Sequence, residues 1–128
     1  MTPPRQWLRA AFGAFDELCS RAFTPAWNPM LQLGALGWFF FWTVSVSGIY
    51  LYVFFDTGIT RAYDSAESLT HAQPWAGGVM RSLHRYASDG LVAVAVVHLV
   101  REFALDRMRG KRWYAWITGL PLLALIYV

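Results

Sequence analysis

Two imidazoles stand fourteen residues apart in the stretch GGVMRSLHRYASDGLVAVAVVHLVRE, residues 77–102: His84 and His98. On an α-helix, fourteen steps return to within roughly 40° of the starting face and advance by about 21 Å. The two rings therefore share one face, and one lies near each side of a bilayer whose hydrocarbon is roughly 30 Å thick. Arg81 stands three residues before the first histidine and Arg101 three residues after the second. Each arginine falls within about 60° of its histidine and one turn nearer the water. An imidazole nitrogen ligates iron, and a guanidinium outboard of it suits the carboxylates of a porphyrin. The pattern predicts a membrane-crossing helix that holds one side of two stacked b-type haems, with His84 and His98 as the metal ligands. The plain alternative is two polar side chains buried in helix contacts, but histidine inside a span is uncommon and usually functional. Ligation by Nε2 leaves Nδ1–H to bond a backbone carbonyl, expected four residues back on the same helix.

The elements that must carry these groups follow from composition. Of 128 residues, 56% are hydrophobic and only 15% charged, so the apolar residues must cluster into spans. Residues 29–55 contain no charge and exceed the ~20 needed for a spanning helix, which places a first span at about 31–55. Gly34 and Gly48 repeat the fourteen-residue interval, with Gly37 between them. A glycine lets a flat group or another helix approach the backbone, so these positions suit haem contact or ordinary helix packing; the matched interval favours haem. The second span covers about 79–105. Between its histidines, Ala87, Ser88, Leu91, Val94 and Ala95 lie on the haem side, three of them small. Asp89 falls about 140° from His84 and needs a helix partner or a shallow position.

Before the first span, Leu8, Phe12, Phe15, Cys19 and Phe23 recur at intervals of three and four. They predict an amphipathic helix from about Pro4 to Phe23, within a segment 1–28, lying on a membrane surface or on a partner. Charges at Arg9, Asp16, Glu17 and Arg21 exclude a cleavable signal peptide. Pro25, Asn28 and Pro29 then turn the chain. The loop 56–77 is acidic, with a short helix expected around Arg61 to Leu69, and His71 reads as a solvated side chain. The loop 101–112 is the most basic in the chain. Basic loops stay inside, so that loop and the N-terminus are expected in the cytoplasm, with His98 on the inner side and His84 on the outer. The same distribution argues against nucleic acid as the reason for a net charge of +3. The single cysteine, Cys19, allows no internal disulfide, and no Cys-x-x-Cys-His encodes a covalent haem. Residues 113–128, WYAWITGLPLLALIYV, read as a third helix too short to cross, so a fragment or a split gene is expected. The fold class expected is all-α, a transmembrane helical bundle fragment with two complete spans, a third incomplete, and an N-terminal amphipathic helix.

The runs RSLHRYASDGLVAVAVVHLVRE and RWYAWITG, with NPMLQLGALG and SGIYLYVFFDTGITRAYDS before them, resemble the N-terminal haem-binding part of cytochrome b from the quinol-oxidising bc complexes. The likeness is greatest to the cyanobacterial and plastid branch and covers about residues 28–121. It implies that His84 ligates the outer, low-potential haem and His98 the inner, higher-potential one. It also implies that Arg81 and Arg101 contact propionates, that Gly34 and Gly48 pack against the haems, and that Gly119 begins a second glycine pair. In the family each iron takes a second histidine from a fourth helix, which this stretch lacks, and the quinol-site motifs lie beyond Val128. An extra haem of the plastid branch attaches through a cysteine where Gln32 stands here, so it is not expected.

The function expected is a multi-pass di-haem cytochrome b subunit of the bacterial inner membrane. It would carry electrons across the membrane in a quinol-oxidising respiratory or photosynthetic complex, and would not be catalytic alone. Its partners would be the remaining cytochrome b helices from the same gene or another chain, a Rieske iron–sulfur or other redox subunit, quinone and lipid. The alternative is a di-haem membrane anchor that exchanges electrons between quinone and a dehydrogenase or iron–sulfur partner. A third reading is a structural membrane subunit without haem.

Overall fold

A computed structural model describes residues 3–56, 58 and 60–127. Five α-helices follow in order: α1 (Pro3–Phe23), α2 (Leu33–Phe54), α3 (Ala62–His71), α4 (Val79–Ala104) and α5 (Trp113–Tyr127). Short turns of tighter or wider helix precede α2, α4 and α5, and no strand occurs among the described residues. The architecture is all-α. The chain divides into two compact units, Met1–Gly37 with Val92–Val128, and Trp38–Leu91. The division falls within α2 and within α4, so each of these helices contributes to both units.

Among the described residues α2 is the one helix both long and apolar enough to cross a bilayer. Its 22 residues span about 33 Å at 1.5 Å each. Hydroxyls within it bond back to the preceding turn, Thr43 Oγ1 to Phe39 O at 2.9 Å and Ser45 Oγ to Phe41 O at 2.8 Å. That gives these two hydroxyls a partner in an apolar setting. Helix α4 has the length, 26 residues, but carries Arg81, Arg85, Asp89, Arg101 and Glu102. Helix α5 has 15 residues with Pro121 inside, about 22 Å.

In the first unit, α1 is tied to the end of α4 by paired charges. Arg5 donates to the Phe103 carbonyl at 2.8 Å and 3.1 Å, pairs with the Asp106 carboxylate, and lies over the Phe103 ring. Eleven residues later Asp16 accepts from Arg101 at 2.8 Å. The two pairs run in opposite senses, which fixes the register of α1. The face that meets α4 thus includes Arg5 and Asp16, while Phe15 and Phe23 of the expected apolar stripe stay exposed. Asn28 is fully buried. Its Nδ2 donates to Asp16 O and Ser20 Oγ, and its Oδ1 accepts from Met30 N. One amide thereby ties the turn after α1 back to that helix.

In the second unit, α3 lies within one or two residues of the short helix expected from sequence, and α4 starts close behind it. Gly77 lets the backbone pass the Leu69 carbonyl, where an added Cβ would strike the oxygen. Gly90 does the same against Phe40, whose ring carbon Cε1 would lie 2.8 Å from an added Cβ.

Candidate functional site

His84 is held from α2 within the second unit. Its Nδ1 lies 3.2 Å from Val44 O and 3.1 Å from Ser47 Oγ. A carbonyl only accepts, so the Val44 contact requires the proton on Nδ1 and leaves the lone pair on Nε2. Ser47 is fully buried and spends its own proton on Thr43 O at 2.6 Å, so its oxygen is free to accept from the imidazole. The carbonyl expected one turn back on α4 is not the partner. The partner is instead Val44 O of α2, which also lies 3.2 Å from Ser47 Oγ. Ser88 Oγ donates to the His84 carbonyl at 2.7 Å.

Gly48 follows Ser47 directly. A Cβ there would lie 3.1 Å from His84 Cε1 and 3.5 Å from Nδ1. A side chain there would press on the imidazole itself. Beside it a cavity of about 340 Å³ is lined by Gly48, Tyr52, Phe55, Leu69, Arg81 and His84, among others. Arg81, expected at a propionate, reaches across to α3, donating to Thr70 Oγ1 at 2.8 Å and to Ala66 O at 3.3 Å.

His98 lies in the first unit and lines a larger cavity, about 480 Å³, between α4 and α5. Its apolar wall includes Leu99, Trp116, Leu122, Leu123 and Ile126, and Glu102, Arg107 and Arg112 also line it. Gly119 allows the helices to close here, since a Cβ would meet Leu99 Cδ2 at 3.0 Å. The Trp116 indole N–H donates to Leu99 O at 3.2 Å and fixes the same crossing. Both volumes fall within the range of small-molecule and cofactor pockets, roughly 300–1,000 Å³.

Arg101 does not line that cavity. It is 4% exposed and its guanidinium is on Asp16, with Arg101 Nε and Asp16 Oδ1 both buried without a hydrogen-bond partner. Gly34 has open space where its side chain would be, and Gly37, like Gly48, faces α4, where an added Cβ would lie 3.7 Å from Val94 Cγ1. His71 is exposed and paired with Glu67 one turn back, at 2.8 Å. Asp89 is exposed as well. Among the described residues no three His, Cys, Asp or Glu side chains gather to hold a metal ion. Each cavity therefore offers one imidazole.

Sequence reasoning missed Ser47, Val44 and Asp16. Ser47 carried a faint signal, a small polar residue beside Gly48 in an otherwise apolar run. Asp16 carried none, because its partner lies 85 residues away.

No family model matches the chain, and no solved structure does. Named relatives do. The chain is 26% identical over 113 residues to cytochrome b6 of Prochlorothrix hollandica, covering 88% of this chain and 50% of the relative. It is 25% identical over 113 residues to cytochrome b6 of Mastigocladus laminosus, again 88% of this chain and 52% of the relative. To cytochrome b of Sulfolobus acidocaldarius it is 28% identical over 99 residues, 77% of this chain and 17% of the relative. The chain thus spans about half the length of the cytochrome b6 relatives it matches. These likenesses bear out the resemblance to the N-terminal part of cytochrome b read from the sequence.

Proposed function

We propose, from the likeness to cytochrome b6 and cytochrome b, that this chain is the N-terminal part of a membrane-embedded electron-transfer subunit that holds two b-type haems. His84 and His98 would each give one axial nitrogen, and the second for each iron would come from helices outside this stretch. The observation that carries the reading is the setting of His84. A carbonyl and a serine oxygen face Nδ1, which leaves Nε2 as the donor and orients the ring from outside, the arrangement that metal-binding histidines use.

The residues fit the group. Each cavity has an imidazole on its wall, an apolar lining and an arginine at its edge. Gly48 supplies a close approach on the His84 side, and Gly119 on the His98 side. When bound with two histidines, such a haem passes single electrons and has no open position for oxygen chemistry. This chain's part is then to set spacing, potential and access. Gly34 has the open space that an approaching flat group would use. The cation of Arg81 lies in the wall of the His84 cavity and would stabilise the carboxylates of the outer haem.

Spans at about 31–55, 79–105 and 113–128 would place the basic 101–112 loop and the N-terminal segment on the cytoplasmic face of a bacterial inner membrane. Helix α4 would cross despite its charges because they are confined to its first three turns and its last. A quinone would be the substrate of the assembled complex, and a Rieske or other iron–sulfur subunit its redox partner. The test is a haem count and a reduced-minus-oxidised spectrum on membranes expressing the complex. Two b-type haems for each copy of this chain support the proposal. A count of zero, with the protein present, leaves a structural membrane subunit.

A further inference from the structure

We propose that Asp89 is the docking point for a transmembrane helix of a separate subunit, one that carries an arginine or lysine at the depth of this carboxylate; this rests on the reading of α4 as a membrane span. Asp89 stands twelve residues before Arg101, about 18 Å along the axis. With Arg101 at the inner boundary of a hydrocarbon roughly 30 Å thick, about 12 Å of it remains between Asp89 and the outer water. A carboxylate on a single methylene does not bridge that distance, whereas Arg85, one turn further out, has a stem long enough to lead its charge outward. Sliding α4 outward until Asp89 met water would draw Arg101, Glu102 and the basic loop behind them into the hydrocarbon. The shallow position is closed to Asp89, and a partner remains.

This stretch supplies no such partner. Among the described residues the side chain of Asp89 has no hydrogen bond or ion pair, and neither has that of Arg85. Ala87 and Leu91 are buried in the second unit. Asp89, two residues from each, points about 160° away from them and is exposed. Helices that bring the second axial nitrogens must lie on the His84 side, about 140° from Asp89 around the helix, so they are not the source either. On the Asp89 flank, Ser82, Arg85 and Tyr86 fall within about 60° of the carboxylate; all three are exposed and line a hollow of about 260 Å³. In an apolar medium a carboxylate is satisfied by a cation that also donates hydrogen bonds, which arginine and lysine do. A second copy of this chain does not provide one. Helices α2 and α5 carry no charge, and a parallel α4 holds another Asp89 at the same depth.

The test is photocrosslinking in the whole complex in membranes, from p-benzoylphenylalanine placed at the exposed Tyr86, with the joined peptide identified by mass spectrometry. The expected product joins this chain to a different subunit, at a peptide whose apolar run contains an arginine or lysine. Asp89→Leu and Asp89→Asn are expected to lower its yield about tenfold or more, because each strands a cation in the membrane, while Asp89→Glu keeps it within about twofold. Asp89→Lys alone is expected to lose the product, and changing the partner's basic residue to aspartate as well is expected to restore it. Crosslinks confined to lipid, to the helices that carry the second axial nitrogens, or to a peptide with no cation in its apolar run overturn the proposal. So does an undiminished yield in Asp89→Leu. The crosslink formed with Asp89 intact decides the matter even where a variant fails to accumulate. Failure of the spanning reading shows in a different measurement: Asp89→Cys in a Cys19→Ser background, labelled from outside by a membrane-impermeant maleimide as fast as Glu67→Cys, would put this residue in water.

Discussion

Replacing Ser47 by alanine tests how the imidazole of His84 is aimed. The side chain is fully buried, so the change removes one oxygen and exposes nothing. That oxygen stands 3.1 Å from Nδ1, and the Val44 carbonyl at 3.2 Å remains. One neutral hydrogen bond contributes about 0.5–1.5 kcal/mol. Loss of an outer partner of a metal-bound histidine typically lowers affinity 10–100-fold. Because the stronger constraint on the tautomer, the carbonyl, is kept, the lower end applies: about tenfold, or ~1.4 kcal/mol. The assay is transfer of haem from the solubilised complex to excess apomyoglobin, followed separately at the two b-type bands. The band that disappears in His84→Leu is expected to transfer about ten times faster in Ser47→Ala, with the other band unchanged. Equal rates in Ser47→Ala and the parent protein would refute the reasoning, because the serine would then do nothing for ligation.

Three further outcomes follow from the packing. Gly77→Ala drives a Cβ into the Leu69 carbonyl oxygen, a backbone atom that cannot swing aside; it is expected to cost about 1–3 kcal/mol, seen as an earlier thermal loss of helical circular dichroism. Arg101→Leu strands Asp16, whose side chain keeps about a quarter of its surface exposed. The expected cost is roughly 3 kcal/mol, the low end for breaking a buried pair, read as faster proteolysis at residues 1–28 and relieved by adding Asp16→Asn. Acidification loosens the other tie between α1 and α4. Burial pushes the Asp106 carboxyl up, but the hydrogen bond from Arg5 and the charges of Arg109 and Arg5 outweigh it and hold the pKa below its ordinary value. A lowered folded pKa stabilises above the unfolded value of about 3.9 and is lost as pH falls through the folded one. Protection of residues 1–28 from an acid-active protease should therefore hold down to about pH 4 and fall below it, and Asp106→Asn should remove that pH step.

Local signals carried much of this fold. The uncharged run before Phe55 became α2, the prolines around Asn28 marked the turn, and the alternation of basic and acidic loops bounded the helices. The histidine interval singled out the two side chains that now line separate cavities. Arg101 shows where such reading stops. Its spacing to His98 is a property of one helix, but its partner Asp16 comes from another, and no periodicity relates the two. The same holds for Nδ1 of His84. That it bonds a carbonyl was foreseeable from metal chemistry, whereas the choice of Val44 depends on how Ser47 and Gly48 let the two helices meet. Arg107 and Arg112 were visible as charge that orients a loop, and their place at a cavity needed the fold.

The most direct measurement compares His84→Leu with His98→Leu in membranes by reduced-minus-oxidised difference spectroscopy, with this chain quantified by immunoblot. Each substitution is expected to remove a different b-type band and leave the other at a substantial fraction of its level, since the two imidazoles line different cavities in different units. Both bands intact in either variant would contradict the claim that these two side chains ligate the iron.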